Sequence, residues 1–281
     1  MGKAKYWVLG ILGAILLIGI IGGVYVYFAF FKAAPLAVLI IDHGTAQYNS
    51  DGVWNDARSR MELKQDYSVK TLSDSMAKII FSDSVMRLDA NTEVKLDTLS
   101  PEKVSVTQML GRTWSRLLKI SGISDYEVNT PNAIASVRGT GFAIIFNGNN
   151  TEIKVLDGTV NVDSMENGTK KASVSVGENK EVIVYLYDVE NLTLEDLQGD
   201  SWIELNKNLD EEHKQELKEE IMKKYASLIN LAKSQYGLTD EQLDSLYDDW
   251  VSGKISVKKS IADGTIPPSF ANLIPAQFKR Y

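Results

Sequence analysis

Apolar residues are concentrated near the N-terminus, where residues 6–31 carry no charged side chain. A helix of this length extends roughly 39 Å, and the hydrocarbon layer of a bilayer is about 30 Å thick. A cleaved signal peptide is the alternative, but its apolar stretch is usually about 7–15 residues long. Here Lys32-Ala33-Ala34 is followed by Pro35, which is a poor start for a mature chain. The pattern therefore predicts a retained transmembrane helix over residues 6–31, with the lipid bilayer as its partner.

Charges on the two sides of this segment predict its orientation. Lys3, Lys5 and the terminal amine precede it, and Lys32 follows it closely. The positive-inside rule therefore places residues 1–5 in the cytoplasm as a short tail and the bulk of the chain outside.

Small residues recur at a spacing of four within the predicted span, at Gly10 and Ala14 and again at Gly19 and Gly23. Such pairs let two membrane helices approach closely. Glycine is also simply common in membrane spans, so the spacing leaves a homo-oligomer open without requiring one.

Beyond the span, short segments alternate between apolar and polar residues, which is the period of a β-strand. Glu152 and Lys154 are expected to face water, and Ile153 and Val155 to face a core. Asn-Gly and Asp-Gly pairs between the segments tolerate positive φ and favour hairpins. The predicted strands are 76–81, 92–96, 140–146, 151–156, 172–176 and 181–187. Residues 36–191 are thus predicted to form a mainly β domain of stacked hairpins or a solenoid-like arrangement.

The period changes to that of an amphipathic helix after Leu192. A second helix is expected to start at Thr239, where Gln242 is placed to complete a capping box, and residues 256–263 suggest a third. The first predicted apolar stripe consists of Leu209, Leu217, Ile221, Tyr225, Leu228 and Ala232. We therefore predict an α-helical module over residues 192–281.

The charge balance narrows the classes of partner. The chain has a formal net charge of −7, which becomes −10 when Lys3, Lys5 and Lys32 are left out. This acidic balance argues against nucleic acid and against anionic membrane surfaces as partners. Three Asn-x-Thr triplets, at Asn149, Asn167 and Asn191, are candidate glycosylation sites on a secreted surface, although such triplets also arise by chance.

Residues that could carry catalysis are few. The chain has no cysteine and two histidines, His43 and His213, neither of which has a companion at metal-ligand spacing. No phosphate loop, nucleophile elbow or calcium loop is present in the sequence. Asp244, Asp248 and Asp249 fit a solvated helix face better than a metal site. The sequence therefore predicts a protein without a cofactor, a metal or a catalytic centre.

The most specific string covers residues 130–142 and is followed by residues 155–160. Proline can open a strand, glycine permits a kink, and an arginine can bind backbone carbonyls or a carboxylate. We therefore expect Arg138 to have a structural role. The motif residues are Thr130, Pro131, Val137, Arg138, Gly139, Thr140, Phe142 and Gly158.

This Thr-Pro…Val-Arg-Gly-Thr-x-Phe stretch with a later Gly-x-Val resembles the FecR domain family, and the similarity extends over about residues 44–187. The resemblance implies an all-β extracytoplasmic domain of the kind found in membrane-anchored regulators and surface proteins. The chain departs from the founding regulators of sigma factors. It has only residues 1–5 where they carry a cytoplasmic anti-sigma segment, and it ends in helices where they have a small α/β domain.

The sequence thus favours a membrane-anchored, extracytoplasmic, non-enzymatic binding module with a membrane or cell-surface protein as its partner. The alternative is a transmembrane signalling subunit that regulates a cytoplasmic factor through a partner membrane protein. A hydrolase is the poorest interpretation, because no acid–base pair can be nominated.

Overall fold

The computed structural model describes residues 36–82, 84–118, 123–137, 139–224, 226–236 and 239–251. The predicted span over residues 6–31, with Gly10, Ala14, Gly19 and Gly23, lies outside these ranges, as do Arg138 and the helix suggested for 256–263. No helix within the described ranges has the length and apolar character needed to cross a bilayer.

Seventeen strands precede the helices in the described part of the chain. They are β1 (Ala37–His43), β2 (Ala46–Asn49), β3 (Trp54–Asp56), β4 (Met61–Leu63), β5 (Ser68–Thr71), β6 (Met76–Phe81), β7 (Ser84–Leu88), β8 (Glu93–Leu99), β9 (Lys103–Arg116), β10 (Asp125–Asn129), β11 (Ala133–Val137), β12 (Gly141–Phe146), β13 (Asn150–Asp157), β14 (Thr159–Glu166), β15 (Thr169–Gly177), β16 (Lys180–Tyr185) and β17 (Leu194–Asp196). The prediction of a mainly β protein is confirmed.

The strands form two layers that share β9. Sheet A has the order β4-β1-β6-β7-β9-β12-β13-β16-β17, and sheet B has the order β3-β2-β5-β8-β9-β10-β11-β14-β15. Every pair is antiparallel except β9 with β10, which is parallel. The single parallel pair makes the sheet mixed, a feature that the hairpin pattern of the sequence did not predict.

The core lies between the two sheets. In β13 the alternation is as expected, because Ile153 and Val155 are fully buried while Glu152 and Lys154 are on the other face. The same cluster contains Val94 and Val128 from sheet B. Burial of these alternate positions is the main driving force for the fold, at about 25 cal/mol per Å² of apolar surface.

Strand β9 passes from one sheet to the other at Gly111. Its first half pairs with β8 and β10 in sheet B, and its second half pairs with β7 and β12 in sheet A. Gly111 has φ +93°, and a Cβ placed on it would lie 2.4 Å from the Oγ1 atom and 2.5 Å from the Cα atom of Thr92. Only glycine fits this corner without strain.

Three helices follow β17, namely α1 (Ser201–Lys224), α2 (Ala226–Tyr236) and α3 (Asp240–Val251). Strand β17 falls within the 192–281 range assigned to helices, because residues 194–196 extend sheet A beside β16. The predicted capping box is present at the start of α3. The Thr239 amide donates to Gln242 Oε1 at 2.9 Å, and the Gln242 amide donates to Thr239 Oγ1 at 3.2 Å.

Helix α3 packs against the second half of α1. Tyr247 is buried and donates from its hydroxyl to the Lys214 carbonyl at 3.3 Å. Asp244 lies 2.8 Å from Lys218 Nζ, and Asp248 lies 3.6 Å from Lys214 Nζ. Both carboxylates are about half exposed, so the pairs contribute little to stability individually.

Candidate interaction site

The first part of the predicted motif joins the two sheets at the turn between β10 and β11. Thr130 Oγ1 lies 2.8 Å from Thr151 Oγ1 on β13, and Thr151 donates to Asn132 Oδ1 at 2.6 Å. Asn132 Nδ2 in turn donates to the Val184 carbonyl on β16 at 2.7 Å. Pro131 is exposed at the tip of this turn. The buried hydrogen bonds give this part of the motif a structural role.

The second part of the motif lies where β11 leads into β12. Val137 and Phe142 belong to the core, and Gly139 has φ +66°. Thr140 is completely buried, and its Cγ2 lies 2.4 Å from the position that a Cβ on Gly158 would occupy. Gly158, with φ +80°, is therefore required for close packing as well as for its backbone conformation. The expected hydrogen bonding of Arg138 stays a prediction, because that residue is outside the described ranges.

Thr140 provides a test of this packing. Its buried hydroxyl has no hydrogen-bond partner among the described residues, so Thr140→Val removes an unsatisfied polar group. We expect this change to raise the free energy of unfolding by about 1 kcal/mol. The matched change Thr151→Val breaks bonds to Thr130 and Asn132 and should lower it by about 1–3 kcal/mol. Urea denaturation of both variants measures this, and equal losses would contradict the assignment.

The three candidate glycosylation sites lie in exposed connections. Asn149 is in the β12–β13 turn, Asn167 has φ +51° in the β14–β15 turn, and Asn191 precedes β17. Thr151, the third residue of the first triplet, is fully buried and hydrogen-bonded.

One end of sheet A exposes large apolar side chains. Tyr187 is 91% exposed, and Met109, Leu110 and Tyr185 are each exposed by nearly half. The register places Leu110 and Tyr185 at the same end of the sheet, since Gly111, next to Leu110, is opposite Phe146, Phe146 is opposite Thr151, and Asn150 is opposite Tyr185. These three strand spacings amount to about 14 Å. We call Met109, Leu110, Tyr185 and Tyr187 the apolar end. Several large apolar side chains exposed at one end of a sheet are a candidate interaction surface.

A buried cluster of charges attaches helix α1 to the outer face of sheet A. Asp210 Oδ1 accepts a hydrogen bond from Arg87 Nη1 of β7 at 2.5 Å. Asp210 Oδ2 accepts from Trp114 Nε1 at 2.9 Å and from Arg116 Nε at 2.7 Å, both on β9. The side chains of Arg87 and Asp210 are only 5% and 3% exposed. We call this group the Asp210 clip.

A second carboxylate next to the clip pairs with Arg116. A second arm of Arg116 binds Asp157, whose other oxygen accepts the Gly141 amide at 3.2 Å. Burial disfavours the charged guanidinium of Arg116, but Asp210 and Asp157 outweigh it, so that its pKa lies above the ordinary value. The guanidinium of Arg116 therefore stays charged in the folded protein.

The start of α1 is positioned by its own set of contacts. Asp200 Oδ1 caps the helix by accepting the Ile203 amide at 2.9 Å. Trp202 packs edge-on against Trp114, with ring centroids 6.0 Å apart, and Arg112 lies over its ring at 4.4 Å. Helix α1 thus lies on the outer face of sheet A. The contacts of Asp200 and Trp202 fix the start of its first ten residues, and those of Asp210 fix the end.

Residues 67–161 match the family model described as FecR protein. The chain contains a FecR domain. The match covers about a third of the chain and includes the whole predicted motif, so the predicted resemblance is confirmed.

Two crystal structures of a candidate anti-sigma factor from Parabacteroides distasonis ATCC 8503, at 2.50 and 1.65 Å resolution, are similar to this chain. Each is 17% identical with a TM-score of 0.40, and the alignment covers 47% of this chain and 60% of the other. The chain therefore spans less than two thirds of the length of these relatives. A search of the curated proteins gave no match.

The Asp210 clip joins the FecR domain to a segment outside it. Arg87, Trp114 and Arg116 lie within residues 67–161, and Asp210 lies beyond them. This contact was not predicted from the sequence, because Asp210 is one of many charged residues in its helix. The available signal was the spacing of Trp202, Asn206 and Asp210, which places them on one face of α1.

Residues considered for chemistry are not brought together. His43 is exposed, with Nε2 3.3 Å from Asp74 Oδ1. Within the described ranges, no group of three or more His, Cys, Asp or Glu side chains is arranged to hold a metal ion.

Proposed function

We propose that this protein is a membrane-anchored, extracytoplasmic FecR-like binding module in which the β domain presents the apolar end to a membrane or cell-surface protein, without catalysing a reaction. The exposed Met109, Leu110, Tyr185 and Tyr187 side chains carry this proposal. Large apolar side chains that are exposed at one end of a domain are the kind of surface that another protein can cover. Tyrosine is also enriched among the residues that dominate binding energies.

The direction of the strands supports the apolar end as the binding surface. The chain enters sheet A at Leu36, before β1, and β16 ends at Tyr185 after running in the same direction as β1. The apolar end is therefore at the opposite end of the sheet from the entry of the chain. The residues at which the chain enters the sheet therefore do not cover the apolar end.

The experiment compares the full-length tagged protein with a Tyr185→Ser/Tyr187→Ser variant. Wild type should pellet with membranes, resist carbonate extraction and, after cross-linking in intact cells, capture a defined envelope protein. The double variant should lose at least about tenfold of that capture, since an exposed aromatic anchor contributes roughly 1 kcal/mol or more.

The control is Val53→Ser, which removes an apolar side chain that is 60% exposed elsewhere in the domain. It should leave capture unchanged. Equal capture by wild type and by the tyrosine variant would reject the apolar end as the binding surface, and extraction of wild type by carbonate would reject the anchor.

The second candidate function is a transmembrane signalling subunit, and the Asp210 clip favours it. A buried carboxylate shared by Arg87, Trp114 and Arg116 couples the FecR domain to α1, so a displacement of one requires the other to move. Regulation of a cytoplasmic factor through a partner membrane protein would be seen as altered transcription after deletion of the gene.

A further inference from the structure

The two sheets have four edges, and one of them differs from the rest. Strands β3, β4 and β17 are each three residues long. Strand β15, at the edge of sheet B, has nine residues. Short edge strands are a common protection against pairing with other chains, and β15 lacks that protection.

The free edge of β15 is unpaired in the described part of the chain. Its backbone pairs with β14 alone, and no turn or loop amide bonds to it. From Ala172 to Gly177 the strand has neither charge nor proline. Val174 points to the core side but is only half buried, because no strand continues sheet B beyond it.

Lysines next to this stretch do not oppose pairing. Lys170 Nζ lies 2.8 Å from Asp163, and Lys171 Nζ lies 2.8 Å from Glu166, so both charges have partners in their own copy. Lys171 is also the extra residue of a bulge, since Ala172 pairs with Ser164 and Lys170 with Met165. The bulge ends the regular part of the edge.

We propose that β15 is a dimerisation strand: two copies of this chain pair their β15 strands antiparallel about a twofold axis at Val174, and their B sheets become one continuous sheet. Antiparallel pairing of an edge with itself is isologous, so each contact occurs twice. Each copy would cover the half-buried Val174 of the other.

Charge and shape select this register. With Val174 on the axis, Ala172 is opposite Val176, and Ser173 is opposite Ser175. Lys171 is opposite Gly177, which has no side chain to obstruct it. A register centred on Lys170 or Lys171 would instead place lysines of the two copies opposite each other, and like charges directly opposite each other destabilise a sheet. An uncharged self-complementary edge therefore fits a second copy of the chain.

The experiment measures the mass of the full chain in detergent by sedimentation over a range of concentrations. Wild type should show a concentration-dependent dimer. The double variants Ser173→Lys/Ser175→Lys and Ser173→Glu/Ser175→Glu place like charges opposite each other twice, and each should raise the dimer Kd by roughly tenfold or more. Both serines are exposed, so the lysine variant should keep a circular dichroism spectrum and a Tm close to those of wild type. Ser173 lies opposite Asp163 and donates to it at 2.6 Å, so the glutamate variant should have a lower Tm while its circular dichroism spectrum stays that of the folded protein.

Mixing the two double variants provides the decisive measurement, because lysine on one chain then faces glutamate on the other. The mixture should form a heterodimer under conditions where neither variant dimerises alone. A control, Asn55→Lys on the exposed edge strand β3, should dimerise like wild type. A monomeric wild type, a lysine variant that still dimerises, or a mixture that stays monomeric would each overturn the proposal.

Discussion

Replacing Asp210 with alanine is expected to lower the free energy of unfolding by about 3–5 kcal/mol, because two buried arginines then lose their shared carboxylate. Arg87 is 5% exposed and Arg116 is 16% exposed, so neither can be rehydrated without a rearrangement of α1 on sheet A. Urea denaturation of the full chain in detergent, followed by tryptophan fluorescence, measures the change. Trp114 and Trp202 lie at the clip and should report the loss of packing directly.

The matched control is Glu212→Ala, two residues further along α1. Glu212 is exposed and has no ion-pair partner among the described residues. Its replacement should change stability by no more than about 0.5 kcal/mol. If Asp210→Ala and Glu212→Ala had equal effects, the clip would not be the contact that attaches α1.

Replacing Gly111 with alanine is expected to be the second large effect, lowering the free energy of unfolding by about 2–5 kcal/mol. Positive φ alone costs an alanine about 1–2 kcal/mol. Forcing the new methyl group against the backbone of Thr92 adds about 1–3 kcal/mol.

Gly52 provides a control with the same backbone angle. Its φ is also +93°, but no atom lies within 4 Å of the position of a Cβ. Gly52→Ala should therefore show the backbone cost alone, about 1–2 kcal/mol. Thermal or urea unfolding of the two variants separates steric from conformational strain, and equal losses would show that the contact with Thr92 relaxes freely.

The local alternation of apolar and polar residues predicted the strands well where one face of the strand is buried and the other is solvated. Residues 76–81 alternate regularly and form β6 with the predicted limits, and the alternation in β13 placed Ile153 and Val155 in the core. The capping residues Thr239 and Gln242 marked the start of α3 because their hydrogen bonds are local.

Contacts between distant parts of the chain could not be predicted in this way. Asp210 is separated from Trp114 by 96 positions and from Arg87 by 123. A single charged residue in a charged helix has no periodic signal that names such partners. The parallel pairing of β9 with β10 was missed for the same reason, since alternation fixes which face of a strand is buried but not which strand lies beside it.

The position of strand β9 in both sheets affects how the domain unfolds. The strand is hydrogen-bonded to β8 and β10 in one layer and to β7 and β12 in the other, so it is the common member of both. If one layer unfolded locally, it would break the hydrogen bonds of β9 to its neighbours in that layer. Because β9 is also part of the other layer, neither layer can unfold as an independent unit. The two layers should therefore lose their protection against amide hydrogen exchange together, and a proteolytic cut within β9 should release no stable half.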